Sequence, residues 1–398
     1  MANKIRVGVL FGGRSGEHEI SLLSAASVLQ FIDKKKYDVV PIGITKEGRW
    51  LTSAHAERLL HGEHKNDSHL RAGDPQATAS AAVLAKGEGV LVPPQPASEG
   101  DSTSLIPFET DAQQHAAAQS IAVDVIFPVL HGTFGEDGTI QGLLELADIA
   151  YVGAGVLGSA AGMDKDVMKS LFKSAGLPIV KHVTALRSQW EKDPIKLRKE
   201  VEQKLKYPVF VKPANLGSSV GISKVHDRSE LDGAIYEAAK YDRKIVIEQG
   251  VGGGRQGKAR EIECSVLGND EPIASVPGEI VPAAEFYDYN AKYVDEGSRL
   301  IIPAKISKKK QKEVQQMAIA AFKAVDCSGL GRIDFLLDPK TEKIYLNEIN
   351  TMPGFTSISM YPKLWAASGV SYPELIDRLI QLGLERYAEK KRNRYTKE

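Results

Sequence analysis

Two segments near the C-terminal end, Leu330-Gly331-Arg332-Ile333-Asp334-Phe335-Leu336-Leu337 and Ile344-Tyr345-Leu346-Asn347-Glu348-Ile349-Asn350, constrain the fold more than any other part of the sequence. Both have the apolar, β-branched composition of strands, and Asp338-Pro339-Lys340-Thr341 between them is turn chemistry. Successive side chains of a strand point to opposite faces, so Arg332 shares a face with Asp334, and Glu348 with Asn350. Paired as neighbours, the strands gather two carboxylates, an amide oxygen and a guanidinium on one face. Hard oxygen donors without His or Cys suit Mg²⁺ held jointly with nucleotide phosphates. An adjacent Arg suits the charge that builds up in phosphoryl transfer. The competing interpretation is a solvated polar face crossed by a salt bridge; the strongly apolar surroundings of these residues speak against it.

The chain has 398 residues, too many for one ordinary core. At roughly 100–200 residues per domain, about two to four domains are expected. Apolar residues at 42% and charged residues at 26% are globular values, and Lys plus Arg balance Asp plus Glu at 51 each. That balance points to neither a nucleic-acid partner nor an anionic membrane surface. Cys264 and Cys327 form no disulfide framework or metal-ligand spacing and are expected to pack. The N-terminal apolar run is too short for a signal peptide, and no stretch approaches the ~20 apolar residues of a membrane span. The expected location is the cytoplasm, without membrane insertion.

The start alternates as α/β proteins do: strand Ile5–Phe11, helix Glu19–Phe31, strand Tyr37–Ile44. Residues 53–120, rich in Ala, Ser, Gly, Pro and Gln, break the rhythm and are expected to be a loop-rich insertion. His55, His61, His64 and His69 within it lack metal-ligand spacing. Strand Val123–Leu130 and helix Thr139–Leu146 follow. Further on come helix Lys165–Ala175, strand Val209–Lys212, helix Ser229–Lys240, strand Lys244–Glu248, helix Lys308–Val325 and a last helix, Tyr372–Lys390.

Between these elements lie loops with chemistry of their own. Asn215-Leu216-Gly217-Ser218-Ser219-Val220-Gly221 follows a strand ending in Lys212; its small residues let backbone N–H groups approach phosphate oxygens. It is not a Walker A sequence, because the Lys precedes the glycines. Lys165 opens a helix, where a cation is mildly disfavoured; a phosphate would explain it, and an ordinary surface lysine remains the alternative. Glu248 ends an apolar strand at which an adenine amino group could be met, and Glu261 could take ribose hydroxyls. Gly12-Gly13-Arg14-Ser15-Gly16-Glu17 lacks a dinucleotide fingerprint, and Glu17 suits an ammonium ligand or simply a helix start. His131 ends a buried strand, where open α/β sheets place ligands; a structural histidine is the alternative. Phe286–Tyr293 mixes aromatic and polar residues, as a mobile lid or a core stripe would.

In chain order, GGRSGEHEIS, HGTFGEDGTIQG, MDK, VKPANLGSSVGI, VIEQG, REIE, FYDYNAKY, GRIDF and LNEINTMPGFTSISM resemble the ATP-grasp ligases, and among them the D-alanine–D-alanine ligase family, over nearly the whole chain apart from the insertion. The resemblance implies an α/β fold of three domains (1–156, 157–253 and 254–398) with ATP between the second and third. It implies that Lys165, Lys212 and the backbone of Gly217, Ser219 and Val220 contact phosphates, with Lys292 reaching in from the lid. Glu248, Glu261 and the Val251 backbone would meet adenine and ribose. Asp334, Glu348 and Asn350 would hold two Mg²⁺, for which Mn²⁺ could substitute. Glu17 would bind the ammonium of the first D-alanine, grouped with Ser218 and Tyr293 as the lid closes, and His131 would line that subsite. Arg332 and the Gly354 amide would stabilise oxyanions, and Ser359 and the Met360 amide would take the carboxylate of the second D-alanine. The activity implied is ATP-dependent formation of D-alanyl-D-alanine through an acyl phosphate, for peptidoglycan synthesis, by a homodimer. A ligase accepting D-lactate or D-serine is the nearest alternative; an acyl-phosphate-forming kinase and a non-catalytic nucleotide-binding regulator are more remote. Two departures stand out: the long 53–120 segment, and Gly252–Lys258 lengthening the link between Glu248 and Glu261.

Overall fold

The apolar run Ile5–Gly12 (β1) becomes the middle of a sheet because both its faces are covered, the arrangement that parallel strands require. Helix α1 (His18–Phe31) carries the chain over to β2 (Tyr37–Ile44), which lies parallel to β1. The computed structural model describes residues 4–46, 48, 50–52, 88–91, 103–108, 121–252, 258–281 and 299–396. Beyond β2 the sheet turns antiparallel through β3 (Trp50–Thr52), β4 (Glu88–Leu91), β5 (Thr103–Phe108) and β6 (Ile121–Val123). On the other side of β1, β7 (Val125–Val129) and β8 (Ala150–Tyr151) are parallel, with α2 (Thr139–Leu146) between them, giving the order β6-β5-β4-β3-β2-β1-β7-β8.

Strands β4 and β5 differ from the expected loop-rich insertion. Short β-forming runs, Gly89-Val90-Leu91 and Leu105-Ile106, are embedded in Ser-, Gly- and Pro-rich sequence that masks them, and pairing satisfies the open edge beyond β3. The four insertion histidines lie outside the described residues.

Next come α3 (Val156–Met163), α4 (Lys165–Ser174), β9 (His182–Leu186), α5 (Arg187–Lys192), α6 (Pro194–Lys204), β10 (Val209–Pro213), β11 (Ser223–Val225), α7 (Arg228–Ala239) and β12 (Lys244–Gln249). The four strands form an antiparallel sheet ordered β11-β10-β12-β9. Leu197 and Val201 of α6 and Leu231, Ile235 and Ala238 of α7 bury their helical stripes against Val209, Val211, Ile245 and Ile247.

The third sheet, ordered β16-β15-β13-β17-β18, uses β13 (Arg260–Gly268), β15 (Gly278–Val281), β16 (Arg299–Ile301), β17 (Gly329–Leu337) and β18 (Ile344–Asn350), with β14 (Ile273–Ala274) paired to β13. Its apolar face takes Val314, Ala318, Ala321 and Phe322 of α8 (Lys308–Ala324), and also Met168 and Phe172 of α4. The chain closes with α9 (Met360–Ala367) and α10 (Tyr372–Lys390).

Hydrophobic cores cross the sheets. Val7, Val9, Phe127 and Val129 of the first sheet share one cluster with Phe355, Tyr361, Trp365, Leu375 and Leu379. Phe355 is its hub, with ring centroids 5.6 Å from Phe127, 5.9 Å from Tyr361 and 5.5 Å from Tyr372. Phe355→Ala is therefore expected to lower stability by about 3–5 kcal/mol, measured as a shift in urea midpoint at unchanged slope.

Candidate active site

Antiparallel pairing sets Asp334 opposite Glu348 and Arg332 opposite Asn350, bringing the four residues together as the alternation predicts. A bulge directly follows this group. Register slips between Asp334 and Phe335, so that Phe335 pairs with Leu346 and Asn347 is the extra residue. Ile344, Leu346 and Ile349 stay on the buried face, while Asn347, Glu348 and Asn350 are all partly exposed. Arg332 grips Asp334 with two bonds, Nε to Oδ1 at 2.8 Å and Nη2 to Oδ2 at 2.7 Å. Its Nε also lies 3.0 Å from Glu263 Oε2 on β13, and Asn350 Nδ2 donates to Asp334 Oδ2 at 3.0 Å.

Lysines from the neighbouring elements converge on this face. Glu248 on β12 is 2% exposed and lies between two ammonium groups: Lys169 Nζ is 3.0 Å from Oε1, and Lys212 Nζ donates to Oε2 at 2.7 Å. Burial alone would raise the Glu248 pKa, but Lys169 and Lys212 outweigh it and hold the group at about 2. Lys169 also donates to the Asn347 carbonyl at 3.2 Å, and Lys212 lies 3.5 Å from Asn347 Oδ1. Lys165 donates to Leu216 O at 2.7 Å and stands 3.9 Å from Glu348 Oε2. Burial pulls Lys165 and Lys169 below the ordinary lysine value; for Lys212 burial is outweighed by Glu248 and Glu348, and its pKa is raised.

On the first sheet's side, the Ser218 hydroxyl donates to the Glu17 carboxylate. Ser218 and Ser219 have φ of 51° and 60°, left-handed backbone that folds the Asn215–Gly221 loop over Glu17. The approach is close enough that a Cβ on Gly217 would sit 2.9 Å from Glu17 Oε2. Ser15 Oγ accepts from the Glu17 amide at 3.1 Å and donates to His131 O at 2.8 Å, fixing the start of α1 against the end of β7.

Both ring nitrogens of the buried His131 are engaged: Nδ1 with Met352 O at 2.9 Å and Nε2 with Ser24 Oγ at 3.0 Å. The carbonyl requires a proton on Nδ1, and burial depresses the pKa, so the ring is a neutral tie between β7 and the loop after β18. Glu136 makes a second tie, accepting from Gly132 N at 2.8 Å and Met352 N at 2.9 Å. Burial and the nearby Glu17 push Glu136 up to about 8. Phe355 N donates to Ser24 Oγ at 3.3 Å. These bonds flank Gly354. Its Cβ position would lie 3.3 Å from Ser359 Oγ, which itself accepts from Thr356 N at 3.1 Å. Ser359 is the N-cap position of α9, while the Met360 side chain is buried with Ile280 and Leu364.

Of the remaining expected residues, Val251 follows β12, and Glu261 shares the face of β13 with Glu263. Lys292 and Tyr293 lie outside the described residues. Sequence reasoning overlooked Lys169, Glu263, Asn347 and Glu136. Lys169 had a usable signal: it lies four residues after Lys165, so two cations share one face of a short helix. Among the described residues no group of three or more His, Cys, Asp or Glu gathers as a metal site. The cluster here has two carboxylates and an amide, a donor set that fits Mg²⁺ completed by phosphate oxygens.

Lys212 from a four-stranded antiparallel sheet and Lys165 and Lys169 from α4 meet the carboxylates of a second antiparallel sheet, the arrangement of the ATP-grasp fold. Residues 6–154 match the family described as D-ala D-ala ligase N-terminus, and residues 171–381 the D-ala D-ala ligase C-terminus. The D-alanine–D-alanine ligase of Heliobacterium modesticaldum is 50% identical over 98% of this chain and 97% of its own, and that of Bacillus cytotoxicus is 47% identical over 99% of each. Among solved structures, the D-alanine–D-alanine ligase from Coxiella burnetii has TM-score 0.79 at 34% identity, covering 98% of this chain and 97% of its own. The VanG D-Ala:D-Ser ligase from Enterococcus faecalis has TM-score 0.77 at 36%, covering 96% and 100%. The chain belongs to the D-alanine–D-alanine ligase family.

Glu248 has a folded-state pKa below its ordinary value of 4.5, so its stabilisation is complete above that pH and is lost as pH falls through about 2. Glu248→Gln is expected to destabilise by about 3–5 kcal/mol at pH 7, because two buried ammonium groups lose their counter-charge. Urea unfolding between pH 7 and 2 should also show a flatter acid limb than the wild type.

Proposed function

We propose that the chain joins two D-alanine molecules into D-alanyl-D-alanine with conversion of ATP to ADP and phosphate, supplying a peptidoglycan precursor. The observation that carries this is the meeting of Lys165, Lys212 and Glu248 with Arg332, Asp334, Glu348 and Asn350, beside Glu17 and Ser218. Relatives at 47–50% identity named D-alanine–D-alanine ligase support it.

In this reading Lys165, Lys212 and the amides of Gly217, Ser219 and Val220 receive the phosphates, and Lys292 joins them from the 282–298 segment. Glu248, Val251 and Glu261 lie along the adenosine. Asp334, Glu348 and Asn350 hold two Mg²⁺, or Mn²⁺ in their place; bound there, the ions neutralise charge on the transferring phosphoryl group. A carboxylate is a poor electrophile, so the first D-alanine is activated as its acyl phosphate. Glu17, kept in place by Ser218 and Tyr293, holds that D-alanine by its ammonium in a subsite backed by His131. The amine of the second D-alanine then attacks, its carboxylate held by Ser359 and the Met360 amide at the positive end of α9. Arg332 and the Gly354 amide stabilise the oxyanion of the tetrahedral stage, and phosphate leaves.

Chain segments 1–156, 157–253 and 254–398 serve as the three domains of a homodimeric, cytoplasmic enzyme. No helix among the described residues is long and apolar enough to cross a membrane. D-Lactate or D-serine as second substrate is the alternative, since one structural neighbour is a D-Ala:D-Ser ligase. The 47–50% relatives favour D-alanine. A kinase that releases the acyl phosphate would have no use for an acceptor pocket at Ser359, and a non-catalytic regulator no use for the full set of Arg332, Asp334, Glu348 and Asn350.

Mass spectrometry of products from ATP, Mg²⁺ and D-alanine, with D-lactate or D-serine in competition, is expected to give D-alanyl-D-alanine and matching phosphate; a depsipeptide or a serine-containing product as the main species would overturn the acceptor assignment. Glu348→Ala should lower turnover by at least about a hundredfold, and a near-native rate would remove Glu348 from the metal set. Tyr293→Phe should raise the share of D-lactate in the product; an unchanged ratio speaks against a part for Tyr293 in acceptor choice.

A further inference from the structure

Lys169 is the most deeply enclosed charge in the molecule among the described residues, 0% exposed, and none of the roles above uses it. Its ammonium bonds to Glu248 Oε1 at 3.0 Å and to the Asn347 carbonyl at 3.2 Å. Lys212, on the other side of the same carboxylate, is 8% exposed and lies 3.5 Å from Asn347 Oδ1. Two ammonium groups thus share one buried carboxylate, and of the two only Lys212 keeps any exposure. If Lys212 were Glu248's sole partner, its movement to a phosphate would strand a buried carboxylate, a strongly disfavoured state.

We propose that Lys169 is a positioning residue that makes Lys212 available to the nucleotide: it stays as the counter-charge of Glu248 while Lys212 turns to a phosphate. This rests on the nucleotide site proposed above. Three consequences follow from the geometry. The phosphates, not the adenosine, should depend on Lys169. The dependence should vanish when Lys212 is absent. It should also vanish when Glu248 no longer carries a charge to be balanced.

The test is displacement of a fluorescent ATP analogue by ATP and by adenosine, with the full chain and without D-alanine. Lys169→Met is expected to weaken ATP by about tenfold or more while adenosine changes less than about twofold, and Lys169→Arg should restore most of the ATP affinity. In a Lys212→Met background, Lys169→Met should add little further loss. The charge-balanced double variant Glu248→Gln with Lys169→Met should regain an ATP-to-adenosine affinity ratio near that of the wild type, and it keeps the test decisive if Lys169→Met alone fails to fold. Equal losses for ATP and adenosine, an unchanged ATP affinity, full additivity with Lys212→Met, or a double variant with a ratio still about tenfold low would each overturn the proposal. A wild-type chain that binds no ATP would overturn the nucleotide site itself, an outcome distinct from these.

Discussion

A carboxylate buried to 2% exposure survives as a charge only with counter-charges in contact, and Glu248 has two. The rest of the site depends on that requirement. Lys169 comes from α4, Lys212 from β10, Glu248 from β12, and both lysines reach Asn347 on β18. One helix and two sheets are tied at a single polar point. An apolar replacement would pack as well, but it would leave no ammonium group to face a phosphate. The cluster therefore holds the second and third sheets in register while keeping positive charge next to the carboxylates of β17 and β18.

A second set of ties joins the first sheet to the third. Glu136, His131 and Ser24 bond the backbone of Met352 and Phe355, on either side of Gly354. Buried polar groups of this kind specify a geometry, because each bond is lost if the loop shifts by an ångström or two. The Phe355 cluster packs beneath them and excludes water. A loop expected to steady developing negative charge is thus held by two sheets at once, and the Glu17 carboxylate is positioned by the same β7 turn.

The regular elements were legible because their periodicities are strong. Thr139–Leu146, Tyr372–Lys390, Tyr37–Ile44 and Ile344–Asn350 occur with the boundaries that the sequence pattern predicts. Strands β4 and β5 were not legible, since four and six residues amid Ser, Gly and Pro carry too little pattern and are strands only because an edge awaits them. The shared face of Arg332, Asp334, Glu348 and Asn350 followed from alternation within each strand. The bulge at Asn347 did not, because a one-residue slip is set by pairing and not by composition. Glu136 and Glu263 looked like ordinary loop and strand acids; burial against Met352 N and Arg332 gives them their significance.

By itself, the sequence determined the fold class, the polar residue types that share the β17–β18 face, the presence of a glycine and serine loop after Lys212, and membership of the ligase family. Those properties are local or are carried by the order of motifs. Only the tertiary structure decided that Lys169 and Lys212 together hold Glu248, which tautomer His131 adopts, and that Arg332 is shared by Asp334 and Glu263. Charges on separate elements acquire partners, and so their ionisation and roles, only when packing removes water from between them.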